Sequence, residues 1–388
     1  MSSHNYSTPN LQLAAPFVLV LRRALPTALA VLLCLIVTGF AAPSVGAVPL
    51  DSDRLARAVR ASETPSVTAR AAVLVDTDTG RVLWGTNAGR RLSMASTTKM
   101  MTALVVLRYA QPNETATVYP RDLVGGSTAN LRAGERITIE ELLYGALIPS
   151  GNDAAWVLAD YVGRTYLGGV GDGGVPAFVE EMNVHARRLG LQDTNFVNPN
   201  GFDEPGHYST ALDLARLGRA VMSEPLLAEI VGSTRHTVVG YSPSGGGRKS
   251  VSHPVETTNE LLGSYRGADG VKTGTTPSAG QVFVASVRRG DSAMIGVVIG
   301  STDRFSDTRA MFDWGFATYE WLPLSARLFG PFVPTVIGGS APPPPSSART
   351  QRRPSPRGRR ARLFVGLQPG TPHRRRRSAR RDRADSPS

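Results

Sequence analysis

The spacing of apolar residues changes character several times along the chain, and each change marks an element. Residues 24–40 form an unbroken apolar run. Two short runs rich in β-branched residues follow, at 71–76 and 81–85, joined by Thr77-Asp78-Thr79-Gly80, which predicts a β-hairpin with suitable turn residues. From Ser96 onward Met100, Met101, Leu104, Val105 and Leu107 are apolar on nearly every side, the pattern of a buried helix. A second helix is predicted from Thr138, with Thr138 as N-cap and Glu141 completing a capping box. Pro149-Ser150-Gly151 interrupts that pattern, and helical spacing resumes over 152–162, then over 177–189 and 211–222. The stretch from about 100 to 262 therefore reads as mainly helical. Gly270 to Gly274 and two strand-like runs, 281–288 and 292–300, come next, the latter two connected by Arg289-Gly290-Asp291. A helix rich in aromatics over 307–319 closes the pattern. Strands at both ends with helices between them predict an α/β (α+β) fold: one antiparallel sheet drawn from both termini, flanked by helices, with a helical subdomain inserted.

The two ends of the 388-residue chain differ from this middle. Arg22 and Arg23 precede the apolar run and Val45-Gly46-Ala47 follows it, so residues 1–47 read as a secretory signal peptide cleaved after Ala47. An uncleaved membrane anchor is the alternative, the run being near the minimum length of a span. Cleavage would remove Cys34, the single cysteine, and with it any thiol chemistry or disulfide. Residues 48–66 read as a linker, 67–325 as the folded domain, and 326–388 as a Pro/Arg-rich tail expected to be disordered, with only 363–367 apolar and no second folded domain. The net charge of +12 belongs to that tail, which carries fourteen arginines and two aspartates from Arg349 onward. The folded part is near neutral, so a basic nucleic-acid face there is unsupported. The tail itself suits weak contact with an anionic wall polymer or a membrane surface.

Candidate chemistry starts from a scarcity. Of 43 basic residues only Lys99, Lys249 and Lys272 are lysine. Arginine cannot release its proton in a protein, whereas a desolvated lysine can. Lys99 stands three residues after Ser96, so on a helix its amine reaches the hydroxyl, placing a base beside a nucleophile. Two further motifs, Ser150-Gly151-Asn152 and Lys272-Thr273-Gly274, are weak singly: an isolated Ser150 reads as a turn residue and Lys272 as a solvated charge. His207, with Asp213 or Asp203, offers a serine–histidine alternative, yet no serine occupies a Gly-x-Ser-x-Gly elbow. His185, His236 and His253 lack ligand spacing, so neither metal nor other cofactor is expected.

In combination and in this order, Ser96-x-x-Lys99, Ser150-Gly151-Asn152 and Lys272-Thr273-Gly274 resemble the signature of penicillin-binding proteins and class A β-lactamases. With Asn198-Pro199-Asn200-Gly201, His207-Tyr208-Ser209-Thr210-Ala211 and Asp269 to Gly274, residues 66–319 are similar to serine-type D-Ala-D-Ala carboxypeptidases, the low-molecular-weight penicillin-binding proteins of the S11 peptidase family. The resemblance implies the transpeptidase/β-lactamase-like fold and a peptidoglycan stem peptide as acyl donor, outside the cytoplasmic membrane. It assigns Ser96 as nucleophile, Lys99 as its base, and Ser150 as the relay to the leaving D-Ala. Asn152, Lys272, Thr273, Gly274 and Thr275 would hold the substrate, with backbone N–H groups of Ser96 and Thr275 as the oxyanion hole, and β-lactams would acylate Ser96. The Asn198 to Gly201 segment is expected to be structural turn chemistry. Two rivals stay open here: a β-lactamase of the same fold, for which Glu180 and Glu181 are the acids to examine, and an idle penicillin- or wall-binding module.

Overall fold

The structure, a computed structural model, describes residues 64–244, 247–323 and 362–366. The expected signal peptide and most of the expected linker and tail lie outside these residues. Residues 64–317 fall within one compact unit. Its first two strands, β1 (Ala71–Asp76) and β2 (Val82–Thr86), form the expected hairpin. The chain later returns as β7 (Ala268–Thr276), β8 (Gly280–Arg289) and β9 (Ser292–Ser301), giving an antiparallel sheet in the order β2-β1-β9-β8-β7. The sheet is thus built from both ends of the domain, as the sequence predicts, and β7 lies at its edge.

Both faces of this sheet are covered, which is why β1 is buried at every position and reads as continuously apolar instead of alternating. Val73, Val284, Ile295 and Val297 share the face that joins the main apolar core. Helix α5 (Ala211–Ser223) packs there, its Gly218 standing against Val284 and Ile295. The opposite face, with Leu74, Met294 and Gly296, meets α7 (Arg304–Thr318) through Met311, Phe312 and Gly315.

Between β2 and β7 lies the helical region: α1 (Lys99–Tyr109), α2 (Ile139–Leu147), α3 (Asn152–Tyr166), α4 (Gly174–Arg188), α5 and α6 (Pro225–Gly232). It is less uniformly helical than its sequence suggests. Strands β3 (Thr115–Thr117), β4 (Arg136–Thr138), β5 (Arg235–Ser244) and β6 (Gly247–Glu256) make a second, four-stranded antiparallel sheet. Strands β5 and β6 carry few apolar side chains, with Val238 and Val255 buried while Val239 and Tyr241 are exposed. A sheet fed by so little apolar surface leaves a weak periodic signal. The capping box at Thr138 is half formed: Thr138 Oγ1 accepts from the Glu141 N–H at 3.3 Å, but the Glu141 carboxylate turns to His236 Nε2 (2.9 Å) and the Val239 N–H (3.0 Å). That exchange ties α2 to β5.

The other unit contains β10 (Tyr319–Pro323) and β11 (Arg362–Gly366), which pair antiparallel. Strand β11 coincides with the single apolar segment of the tail. Among the described residues no helix is long and apolar enough to cross a membrane.

Candidate active site

Ser96 lies on a 3-10 turn, Ala95–Thr98, that runs directly into α1. Its side chain is half-buried, while Lys99, the first residue of α1, is fully buried. Lys99 Nζ stands 2.9 Å from Ser96 Oγ, 2.7 Å from Asn152 Oδ1 and 2.8 Å from the carbonyl oxygen of Asn200. The Asn152 amide is fixed in that orientation because its Nδ2 donates to the Gly125 carbonyl at 2.7 Å. Two of the three neighbours of the amine are therefore acceptors only. A neutral amine has two N–H bonds, and those two acceptors take both. Its lone pair is then left for the Ser96 hydroxyl hydrogen. Burial, and after it the charge of Lys272, hold the Lys99 ammonium well below its ordinary range, against a smaller opposing pull from Asp153. Burial and the charge of Lys272 thus favour the neutral amine, to which this geometry offers two acceptors and one hydroxyl.

The Asn198 to Gly201 turn has more than a structural part. Asn198 Oδ1 accepts from the N–H groups of Gly201 (2.7 Å) and Phe202 (3.1 Å), and the turn so formed presents the Asn200 carbonyl to Lys99. Gly201 has φ of +94°, and a Cβ there would fall 2.0 Å from the Ala95 carbonyl oxygen, so only glycine lets this turn press against the turn that carries Ser96. The acceptor is a backbone carbonyl, which no residue type announces.

Strand β7 closes the other side. Alternation places Lys272 and Gly274 on the face of Val282 and Val284, toward the core, and Thr273 and Thr275 on the opposite face. A Cβ at Gly274 would lie 2.8 Å from Ser96 N, so the absence of a side chain brings the strand edge to the Ser96 N–H. Lys272 is buried, donates to the Thr273 carbonyl at 3.0 Å, and is brought down to about 7 by burial and by Arg304. The Thr273 hydroxyl pairs with Thr258 Oγ1, whereas the exposed Thr275 Oγ1 accepts from Arg304 at 2.6 Å. Arg304 also donates to the carbonyls of Gly274 (2.9 Å) and Val282 (3.3 Å) and to Gln281 Oε1 (3.1 Å). Each of these partners is a neutral oxygen, so a guanidinium stands beside the strand edge able to take a carboxylate. Among so many arginines, nothing in the sequence singled this one out.

Ser150 is buried between α2 and α3 with φ of +68°, and its Oγ has no hydrogen-bond partner among the described residues. The direct contacts thus bring together Ser96, Lys99, Asn152, the 198–201 turn and Gly274, with Lys272 joined to Lys99 through its charge; Ser150 makes no hydrogen bond to them. Its segment is held by Asp153, whose carboxylate accepts from the N–H groups of Ala129 (2.9 Å) and Leu131 (3.2 Å) and from Thr128 Oγ1 (2.6 Å).

His207 is not part of a charge relay. It is buried, its Nδ1 accepts from the Val197 N–H at 3.0 Å, and its Nε2 therefore carries the hydrogen that goes to Thr98 Oγ1 at 2.8 Å. Asp203 binds Thr276 and Ser278, and Asp213 binds Thr194, Arg216 and the Asp193 N–H, so neither orients the ring. Glu181 pairs with Arg188 and Glu180 lines a separate cavity; neither carboxylate is a partner of Ser96 or Lys99.

Comparison with known proteins converges on one group. Residues 58–303 match the peptidase S11 model, described as D-alanyl-D-alanine carboxypeptidase. The chain is 34% identical over 268 residues to the D-alanyl-D-alanine carboxypeptidase DacF of Bacillus subtilis (strain 168), covering 67% of this chain and 65% of that one. It is 35% identical over 263 residues to the D-alanyl-D-alanine carboxypeptidase of Streptomyces sp. (strain K15), covering 65% of this chain and 89% of its relative. The solved structure of the Streptomyces K15 DD-transpeptidase superposes with a TM-score of 0.62 at 33% identity, covering 66% of this chain and 99% of the other. The match to DacF therefore spans about two thirds of that relative's length.

Proposed function

The chain belongs to the peptidase S11 family of D-alanyl-D-alanine carboxypeptidases, and from that membership we propose that it removes the terminal D-Ala of peptidoglycan stem peptides through an acyl-enzyme on Ser96. The observation that carries this reading is the set of three contacts around Lys99 Nζ, which leaves the amine lone pair to Ser96. The substrate's terminal carboxylate is held by Lys272, the Thr275 hydroxyl and Arg304. Lys99 takes the Ser96 proton as Oγ bonds to the penultimate D-Ala carbonyl carbon. The oxyanion is stabilised by the N–H of Ser96, beside the open face of Gly274, and by that of Thr275. Collapse of the tetrahedral species breaks the amide bond; Ser150, at the head of the segment held by Asp153, gives its hydroxyl proton to the leaving D-Ala nitrogen and takes up the proton that Lys99 had accepted, which leaves Lys99 neutral again. Water then attacks the ester, with Lys99 as base, and the free carboxylate departs.

A β-lactam is a substrate mimic on the same path: Ser96 opens its ring and remains acylated. A β-lactamase role lacks support, because neither Glu180 nor Glu181 touches the Ser96–Lys99 pair. An idle binding module is disfavoured by the same pair, whose neutral amine serves proton transfer and adds nothing to affinity. Transfer to an amine is a second outcome of the same acyl-enzyme, favoured by the likeness to a protein named DD-transpeptidase. The reading also places the protein outside the cytoplasmic membrane, delivered by the signal peptide over residues 1–47.

The test is mass spectrometry and labelling with a fluorescent penicillin. The expected result is one penicilloyl adduct on Ser96, D-Ala released from a D-Ala-D-Ala peptide, and no label on Ser96→Ala with an unchanged circular dichroism spectrum. Label that persists on the variant overturns the assignment.

A further inference from the structure

Two segments from different parts of the fold press on the turn that carries Ser96. The 198–201 turn reaches it at Gly201, where a Cβ would fall 2.0 Å from the Ala95 carbonyl oxygen and 2.8 Å from Ser96 N. Strand β7 reaches it at Gly274, where a Cβ would fall 2.8 Å from Ser96 N and 3.0 Å from the Ala95 Cβ. Each brings part of the chemistry. The first presents the Asn200 carbonyl to Lys99, and the second carries the Thr275 N–H assigned to the oxyanion hole. Close packing limits how near two segments come but sets no direction between them, which hydrogen bonds do.

Asp203 joins these two segments to each other. Its Oδ1 accepts from Thr276 Oγ1 at 2.7 Å and its Oδ2 from the Ser278 N–H at 2.9 Å. One carboxylate thus grips the last residue of β7 and the turn beyond it, and the Thr276 hydroxyl also accepts from the Ala279 N–H at 3.1 Å. Strand β7 has β8 as its single strand partner among the described residues, so side chains must fix its end. Arg304 holds Gly274 and Thr275 from α7, and Asp203 holds Thr276 and Ser278 from beside the 198–201 turn. The near end of this tie is also fixed. Asn198, whose Oδ1 organises the turn, donates from Nδ2 to the Phe202 carbonyl (3.1 Å) and to Glu204 Oε1 (2.8 Å). Both chain neighbours of Asp203 are therefore bound to the side chain that sets the Asn200 carbonyl. Partial burial favours the neutral carboxyl, but the Ser278 N–H and the Thr276 hydroxyl outweigh it and hold Asp203 below the ordinary carboxylate range.

We propose that Asp203 is a positioning residue for the acylation of Ser96. It closes a ring of three segments, the Ser96 turn, the 198–204 stretch and the end of β7, and so sets the Thr275 N–H against Ser96. The role rests on the acyl-enzyme reading. It differs from the orienting role toward His207 that the sequence offered for this residue, because the carboxylate is spent on Thr276 and Ser278. An oxyanion hole acts through donors fixed before the reaction begins, and a misplacement of about 1 Å costs on the order of 100-fold in rate. The groups assigned to the substrate carboxylate, Lys272, the Thr275 hydroxyl and Arg304, are not hydrogen-bond partners of Asp203. Cutting the tie therefore acts on the rate of acylation and leaves affinity in place.

The experiment is stopped-flow acylation of the full chain by a fluorescent penicillin at increasing concentration, which separates the limiting rate from the half-saturating concentration. In Asp203→Ala the limiting rate is expected to fall about 10- to 100-fold, with the half-saturating concentration little changed. Asp203→Asn is expected to restore the rate, because an amide can accept from the Ser278 N–H and donate to Thr276 Oγ1, keeping both bonds without the charge. Thr276→Val cuts one of the two bonds and is expected to lose less. Combined with Asp203→Ala, its loss should be smaller than the product of the two, since both changes cut one contact. A native limiting rate in Asp203→Ala, or a change confined to the half-saturating concentration, overturns the proposal. So does an Asp203→Asn variant as slow as Asp203→Ala, which would assign the effect to charge, and so does full multiplication of the two losses. Thermal melts report folding; if Asp203→Ala does not fold, a slowed Thr276→Val beside a native Asp203→Asn upholds the bridge, and a native Thr276→Val overturns it. Native protein that takes no penicillin on Ser96 overturns the acyl-enzyme reading, and the role of Asp203 with it.

Discussion

Two buried lysines sit on opposite sides of Ser96, and the same burial has different consequences for each. Lys99 opens a helix and is surrounded by oxygen atoms fixed from three separate segments: the Ser96 turn, the start of α3 and the 198–201 turn. Lys272 sits on an edge strand, donates to one neighbouring carbonyl, and has a second cation, Arg304, nearby. Both lose part of their hold on a proton through desolvation. Lys99 is provided with acceptors for two N–H bonds and a hydroxyl for its lone pair, so loss of charge leaves it fully bonded. Lys272 and Arg304 together leave positive charge beside the strand edge with neutral partners, a setting that an arriving carboxylate completes. On the proposed mechanism, desolvation alone does not decide whether a lysine acts as base or as anchor; the partner set does.

The comparison is most sharply broken at Lys99. Lys99→Arg keeps a cation and the approximate volume but cannot become neutral, so penicillin acylation should fall by about a thousandfold, the range of a lost general base. Stopped-flow labelling with a fluorescent penicillin measures this, with a thermal melt to confirm folding. Acylation at the native rate would remove Lys99 from the base role.

Lys272→Gln should have a smaller effect that takes two forms. Losing a charged partner of the terminal carboxylate costs on the order of 1.5–3 kcal/mol, or about 10- to 100-fold in kcat/KM. Removing a cation near Lys99 also raises the Lys99 pKa, so the acid limb of the pH profile moves to higher pH. In the native enzyme Lys272 itself titrates at about 7, and kcat/KM, which reports the free enzyme, should decline above that pH as the anchor loses its charge. A native profile flat through pH 7–9, or an unmoved acid limb in the variant, would separate the two lysines.

How far the sequence disclosed this arrangement depends on how each piece is encoded. The sheet from both termini was legible because β1, β8 and β9 are covered on both faces and read as continuous apolar runs. Strands β5 and β6 were not, because one face of each is open and Gly, Ser and Pro dilute what remains. Ser96, Lys99 and Lys272 were legible because side-chain chemistry selects residue types. The Asn200 carbonyl was hidden because any residue could supply it, and Arg304 because its meaning comes from adjacency across the sheet: α7 begins just after β9, beside β8 and β7. The Asp203 bridge was hidden for the same reason, its partners lying 73 and 75 residues further along the chain.

His207 extends the comparison to a third buried base, and it predicts the smallest effect on activity with a readable effect on stability. Its pKa is lowered to about 4 by burial, with a weaker opposing pull from Asp203. Unlike Lys99, it has no lone pair to offer: Nδ1 is taken by the Val197 N–H, and Nε2–H is spent on Thr98 Oγ1, which in turn donates to the Ala95 carbonyl at 2.9 Å. Protonation would set an Nδ1–H against the Val197 N–H, two donors facing each other. The unfolded chain binds the proton at about 6.5 and the folded one at about 4, so between these values the unfolded state holds more protons and stability falls as pH falls, by about 3 kcal/mol in all. Asp122 acts in the opposite sense, since its folded carboxyl is raised to about 6 and stabilises the fold as pH falls through that value. The readout is therefore the difference between native protein and His207→Gln in thermal midpoint across pH 4 to 6.5. The native midpoint should drop more steeply than the variant's, while Ser96 labelling at pH 7 persists in both. Parallel curves would place the acid sensitivity elsewhere, and abolished labelling in a folded variant would return His207 to the chemistry.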